Sequence, residues 1–387
     1  MSTYDSQQNF WNELSPEARL LLKSARLKLT ENEIEEIKNL ISEIQDWKLF
    51  ERIALQTNLA SLCYHTLVRK YNLEIPKATA EFLQRVYFKI LANNIVIMKE
   101  FADLKEILDQ NEIDYIPLKG VRLIEEFYSD LGLRHLSDID LLFRDEDTAK
   151  VREAFEINGY REFIVDENKL IQKWTENPSP FQYSKNNTFV DFHIRLNRIG
   201  KTQLNINDYW NTAQKKADSC EYQLNPQLEL VHLCFHCYKH LVGDFLNLIW
   251  LIELPLYIEK INIDWNQFLN YSTLYNCLNE NITVIRLLEE IHGKKYLSET
   301  ACVCEEQTIG KSFLKLKNCV KFGNNPANRN SLSSQLLSET EHLPINKKII
   351  VVLGRLFPSK RFLESRYGRV DNYFLVIIKR YAVYLKR

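Results

Sequence analysis

Apolar residues recur at three- and four-residue steps through 17–108, most regularly over 32–50 and 78–108, and this spacing predicts helices there. The texture changes at Asp114. Short β-rich runs follow at 115–118, 138–143, 159–165, 181–184 and 188–196, separated by helical patterns at 121–128 and 146–158. Gly159 follows the second of these where a C-terminal helix cap is expected. Residues 166–180, which include Asn177-Pro178-Ser179-Pro180, read as a surface loop. Helical periodicity returns from Asn225, with candidates at 227–241, 245–260, 265–275 and 278–292. Residues 324–334, rich in Asn and Ser, read as a linker. The pattern predicts an α+β chain in four parts: an N-terminal helical region at 1–110, an α/β core at 111–200, a helical region at 201–323, and a C-terminal helical, basic tail at 324–387.

Composition fits a globular chain with a large core: 387 residues, 45% hydrophobic and 26% charged. The formal net charge of −1 gives no whole-chain reason to expect nucleic acid, but the charge is unevenly placed. Residues 347–387 hold eleven Lys/Arg and only two acids, Glu364 and Asp371, which leaves 39 Lys/Arg against 49 Asp/Glu, or −10, in the rest. A tail of this kind most often docks on an acidic body. No apolar stretch approaches the roughly 18–20 residues of a membrane span, and the N-terminus lacks the basic and apolar regions of a signal peptide. The eight scattered cysteines suggest free thiols. A soluble, cytoplasmic protein is expected.

The candidate chemistry lies in the β-rich part. Asp138 and Asp140 are two residues apart in an apolar run, so a strand would turn both carboxylates to one face and leave Ile139 and Leu141 on the other. Like charges so close repel and resist burial, and a cation relieves them; all-oxygen ligands suit Mg²⁺. Asp191, His193 and Arg195 likewise share one face of a predicted strand, opposite Phe192 and Ile194. Were the two strands neighbours, three carboxylates would converge on one or two metal ions, the arrangement needed to neutralise a triphosphate and to stabilise a leaving pyrophosphate. Upstream, Lys119 offers a point charge to phosphates, and Gly120 permits close backbone approach at the start of a helix whose amides favour anions. Arg134 has the planar fork suited to a phosphate clamp.

The order Leu118-Lys119-Gly120, helix, Arg134, Asp138-Ile139-Asp140-Leu141-Leu142, helix ending in Gly159-Tyr160, then Asp191 ahead of His193 resembles the uncharacterised nucleotidyltransferases of the polymerase β superfamily. The likeness covers roughly 112–260, with a looser one at Leu356-Phe357-Pro358-Ser359. It implies a polymerase β-like core, a small mixed sheet with helices, flanked by helical regions. It also implies that Asp138, Asp140 and Asp191 bind divalent metal. Val121 stands where the wider superfamily carries a serine hydroxyl, although the named branch shares the Lys-Gly form.

A second constellation is His232, His236 and His240, which helical steps of four hold within about 80° of arc. Cys234 and Cys237 point away from that arc, so one compact tetrahedral zinc site is not expected. His236 and His240, with His193, are candidates for positioning the acceptor. The sequence reading is therefore a Mg²⁺- or Mn²⁺-dependent enzyme that moves NMP from an NTP to an acceptor hydroxyl or phosphate. The acceptor is expected to be a small molecule or peptide rather than nucleic acid. A silent nucleotide-binding or regulatory module, and a metal-dependent phosphotransferase or phosphodiesterase, use the same residues.

Overall fold

The computed structural model describes residues 11–163, 181–194, 206–242, 247–297, 349, 357, 360, 363 and 371–378. The expected loop at 166–180, Arg195, the linker at 324–334 and most of the basic tail lie outside the described residues.

The N-terminal helices are set by their caps. Helix α1 (Pro16–Ser24) starts at Ser15, whose side chain accepts from the Ala18 amide, and α2 (Glu31–Glu43) at a reciprocal Thr30–Glu33 capping box. The helical spacing over 32–50 is shared by two helices. Asp46 accepts from the Leu49 amide and starts α3 (Trp47–Gln56), while the Glu17 carboxylate accepts from the amides of Gln45 and Asp46 at 3.2 Å each. Apolar spacing runs on through the turn, so periodicity alone cannot register it. A short α4 (Ala60–Cys63) runs into a π-helical segment (Tyr64–Lys70), and α5 (Lys77–Gln110) is one helix of 34 residues.

The sheet is mixed and has five strands among the described residues. β1 (Tyr115–Leu118) leads into α6 (Lys119–Phe127), and β2 (Ile139–Phe143) into α7 (Thr148–Ile157) through a single 3₁₀ turn. Gly159 follows α7 with φ +83°, the left-handed cap that its position predicts. β3 (Arg161–Phe163), β4 (Phe181–Lys185) and β5 (Thr188–His193) complete the sheet in the order β1-β2-β5-β4-β3. β2 and β5 are parallel; every other pairing is antiparallel. The hairpin between β4 and β5 turns on Asn186 and Asn187, both with positive φ, as a two-residue hairpin turn requires.

Alternation divides the sheet chemically. Ile139, Leu141 and Phe143 share one face with Val190, Phe192 and Tyr183, where the Phe143 and Phe192 rings stack at 4.5 Å and Phe155 of α7 packs edge-on against Tyr183. Each of these buried side chains contributes about 1.5–3 kcal/mol relative to exposure. The other face carries Asp140, Asp191, His193 and Gln182. The remaining helices are α8 (Ile206–Thr212), α9 (Pro226–Val242), α10 (Ile249–Lys260), α11 (Trp265–Leu274) and α12 (Leu278–His292). A two-stranded ribbon, β6 (Gln214–Lys215) and β7 (Tyr222–Gln223), lies beside β1, where the Tyr115 amide donates to the Cys220 carbonyl at 3.1 Å. One hydrophobic core runs from Leu14 to Leu297 across both helical regions and the sheet. Among the described residues, no helix is long and apolar enough to cross a membrane.

Candidate active site

The segment that delivers the acid strand, 128–138, is fixed from the N-terminal side. Asn94, fully buried in α5, donates to the carbonyls of Leu131 and Arg134, and its Oδ1 accepts from the Leu136 amide at 3.1 Å. Asp130 accepts from Arg69 at 2.6 Å, from the Tyr87 hydroxyl and from the Gly132 amide. A Cβ on Gly132 would strike the Tyr87 ring, so the bare backbone is required there. Polar groups from α5 and the π-helical segment thus set the path by which the chain enters β2.

At the strand ends, parallel pairing puts Asp140 in register with Asp191, and antiparallel pairing puts Leu118, the residue before Lys119, opposite Asp140. Asp140 is buried, and its Oδ1 receives both Lys119 Nζ and His193 Nε2 at 2.7 Å. Burial alone would raise the Asp140 carboxyl; the Lys119 charge and the His193 hydrogen bond outweigh it and hold the group well below the usual carboxylate range. Asp191 sits two residues before His193 on the same face, and its Oδ1 accepts from Gln182 Nε2 at 2.5 Å. Ligand atoms of Asp140, Asp191 and His193 all lie within 4.8 Å of one another, close enough to share one cation.

Asp138 stands just before β2 rather than in it. It is half-buried and accepts from the Ser137 hydroxyl at 2.9 Å. Burial, reinforced by the charges of Asp140 and Asp191, pushes its carboxyl up to about 7. Three carboxylates are therefore near enough to repel, which is the electrostatic condition that a bound cation relieves.

Lys119 opens α6 with φ +46°, a left-handed conformation that costs a side chain of this size of order 1–3 kcal/mol. Strain here turns the ammonium back onto the acid strand. At Gly120 a Cβ would lie 3.1 Å from Arg134 Nη1 and from Leu136 Cδ2. Its missing side chain makes room for the guanidinium.

Arg134 has its partners within the fold. Its Nε donates to Glu253 Oε1 at 2.5 Å and its Nη2 to Oε2 at 3.3 Å, its Nη1 meets the His135 carbonyl at 3.1 Å, and its plane lies over the Trp250 ring. The side chain is buried and its fork meets a carboxylate on α10, so Arg134 ties the acid loop to α10. The Tyr128 hydroxyl also donates to Glu253 Oε1.

The three histidines of α9 form a row. His236 and His240 bring their Nε2 atoms to 3.0 Å, so one donates and the other accepts, and His236 packs edge-on against Trp250. Burial, with the positive charge of Lys119 adding to it, pushes His232 down to about 3, and burial likewise holds His236 well below its ordinary value. Lys119 acts on both, which ties this face of α9 electrostatically to the strand-end acids. The His232 Nε2 is buried with no hydrogen-bond partner among the described residues. Cys234 and Cys237 are buried, and burial raises both thiols.

Sequence reasoning did not find Asn94, Gln182 or Glu253. Only Gln182 had a usable signal: alternation between Phe181 and Tyr183 puts it on the polar face, and a two-residue turn to β5 then sets it opposite Asp191.

No curated protein and no solved structure matches the chain. A family model described as "Uncharacterised nucleotidyltransferase" matches residues 43–293, well over half of the chain and the whole of the sheet with most of the helices around it. The strand-end carboxylates, the Lys-Gly turn and the histidine helix α9 all fall inside that span, and the chain belongs to this nucleotidyltransferase family.

Proposed function

We propose that the protein transfers a nucleoside monophosphate from an NTP to an acceptor hydroxyl or phosphate, with release of pyrophosphate. The observation that carries this reading is the register of Asp140 with Asp191 on adjacent parallel strands, beside Asp138 and Lys119. The donor atoms of Asp140, Asp191 and His193 are close enough to share a divalent ion, Mg²⁺ or Mn²⁺, and Asp138, just before β2, adds its carboxylate charge beside them. Such an ion, when bound, supplies charge neutralisation for the triphosphate and for the departing pyrophosphate.

The rest is the work of the side chains. Lys119 and the amides at the start of α6 face the phosphates. Asp191, oriented by Gln182, accepts the proton of the attacking acceptor group, which must approach the α-phosphorus in line with the departing oxygen. His236 and His240 line the acceptor side. The acidic body favours a small molecule or peptide acceptor over nucleic acid. A cytoplasmic location fits this substrate set.

The test is pyrophosphate release by the full chain with Mg²⁺, each of ATP, GTP, CTP and UTP, and a cell metabolite extract as the source of acceptors. Pyrophosphate with one NTP, lost in Asp140→Ala, is the expected result. Inorganic monophosphate in its place would assign the site to phosphotransfer or hydrolysis. Titration calorimetry of NTP with Mg²⁺ that is unchanged in Asp140→Ala would overturn the metal site altogether.

A further inference from the structure

The tight donor group is not the set of three carboxylates. Asp140, Asp191 and His193 have ligand atoms within 4.8 Å of one another, while Asp138, displaced to the loop before β2, does not join them. His193 follows Asp191 by two residues on the same strand, so the pleat turns both side chains to one face, and parallel pairing sets that face beside Asp140. The imidazole Nε2 reaches the same Asp140 oxygen that Lys119 holds. Gln182 fixes the carboxylate of Asp191 from the neighbouring strand, the kind of outer partner that orients a ligand. His232 of α9 is 5% exposed and its Nε2 is without a partner among the described residues, with Lys119, His193 and Asp140 all acting on it electrostatically.

We infer that His193 is itself a metal ligand, so that the site offers one nitrogen and two carboxylates and prefers a first-row transition dication, such as Mn²⁺ or Co²⁺, over Mg²⁺. The inference rests on the metal-dependent reading above and names the ion. Mg²⁺ is a hard cation that binds oxygen and keeps much of its water, and it gains little from an imidazole. First-row transition ions accept the nitrogen lone pair, with affinity rising from Mn²⁺ to Co²⁺ and beyond. A strand-borne histidine in the donor group therefore separates the two classes of ion, whereas three aspartates would not.

Pulsed electron paramagnetic resonance of Mn²⁺ alone, added to the full chain, tests the ligand directly. The expected result is a ¹⁴N coupling characteristic of a coordinated imidazole that becomes a ¹⁵N coupling when histidine is isotope-labelled, a readout that needs no variant. The coupling disappears in His193→Gln, which keeps a hydrogen-bonding group beside Asp140. The ratio of Mn²⁺ to Mg²⁺ affinity falls at least about tenfold in His193→Asp, which restores an all-oxygen set. Bound Mn²⁺ without nitrogen coupling, or coupling that survives in His193→Gln, overturns the inference and leaves nucleotidyl transfer standing on the pyrophosphate assay. Nitrogen coupling without pyrophosphate release keeps His193 as a ligand and overturns the transfer reading. No Mn²⁺ binding overturns both.

Discussion

Two charged clusters flank the start of α6, and they treat charge in opposite ways. Around Arg134 one cation meets one anion: the guanidinium fork is filled by Glu253 and the His135 carbonyl, Tyr128 adds a hydrogen bond, and Trp250 covers the plane. At the strand ends three carboxylates, Asp138, Asp140 and Asp191, share one ammonium, that of Lys119, with hydrogen bonds from His193 and Gln182. The first cluster is balanced and joins elements 119 residues apart. The second carries surplus negative charge, visible in the Asp138 carboxyl that burial and its acidic neighbours push up to about 7. Balance serves the fold, and the surplus is what the proposed cation would offset.

The sharpest way to separate the two is to remove one carboxylate from each. Asp140→Asn is expected to lower pyrophosphate release on the order of a thousandfold or more, equivalent to about 4 kcal/mol, in a steady-state assay. Its urea midpoint moves less than that of the next variant. Glu253→Ala leaves Arg134 buried without its anion and costs about 3–5 kcal/mol in urea denaturation. If the two variants lost equal stability, the division between a holding cluster and a working cluster would collapse.

Two buried histidines extend the comparison. His292, at the end of α12, donates from Nε2 to the Leu251 carbonyl at 3.0 Å. Burial lowers it to about 4, with Arg26 and Lys294 adding to the effect and Glu33 opposing it. It is therefore neutral in the folded protein, and the stability it contributes is complete above its unfolded value, near 6.5, and is lost as pH falls through 4. The expected loss is about 3 kcal/mol across that window, measured as the difference in denaturation free energy between wild type and His292→Gln at each pH. His232, by contrast, buries a ring nitrogen without a partner among the described residues. Replacing it with Leu removes that penalty, and the thermal midpoint should hold or rise, by the equivalent of about 1 kcal/mol. A drop of 2 kcal/mol or more would show that His232 belongs with the holding groups.

What the sequence reveals follows the same line. Asp138, Asp140, Asp191 and His193 stand out because polar residues at period 2 inside apolar runs are conspicuous, and the structure gathers Asp140, Asp191 and His193 on one sheet face. The long helix at 77–110 and the helix at 278–292 are equally plain from their apolar spacing. Glu253 and Asn94 are hidden for the complementary reason. A lone polar residue in a helix looks like a solvated one until its distant partner is known, and the partners are 119 and 42 residues away. The pairing of Arg134 is hidden for the same reason: local context shows a guanidinium beside an acid pair, and only tertiary structure shows the Glu253 carboxylate that it meets. The break at 44–46 is lost because its agent, Glu17, acts from a different helix.

The pairing of β2 with β5 also bears on how the molecule assembles. β5 meets β4 across a two-residue turn, a contact that closes almost no loop, but it meets β2 only after about 50 intervening residues have been brought round, with a correspondingly larger entropic cost. Asp140 and Asp191 become neighbours in that second event, not in the first. Before that event Asp191 stands apart from the Asp138 and Asp140 pair. A cation held by Asp140 and Asp191 together, as proposed, would stabilise the finished sheet over any earlier species on the way to it.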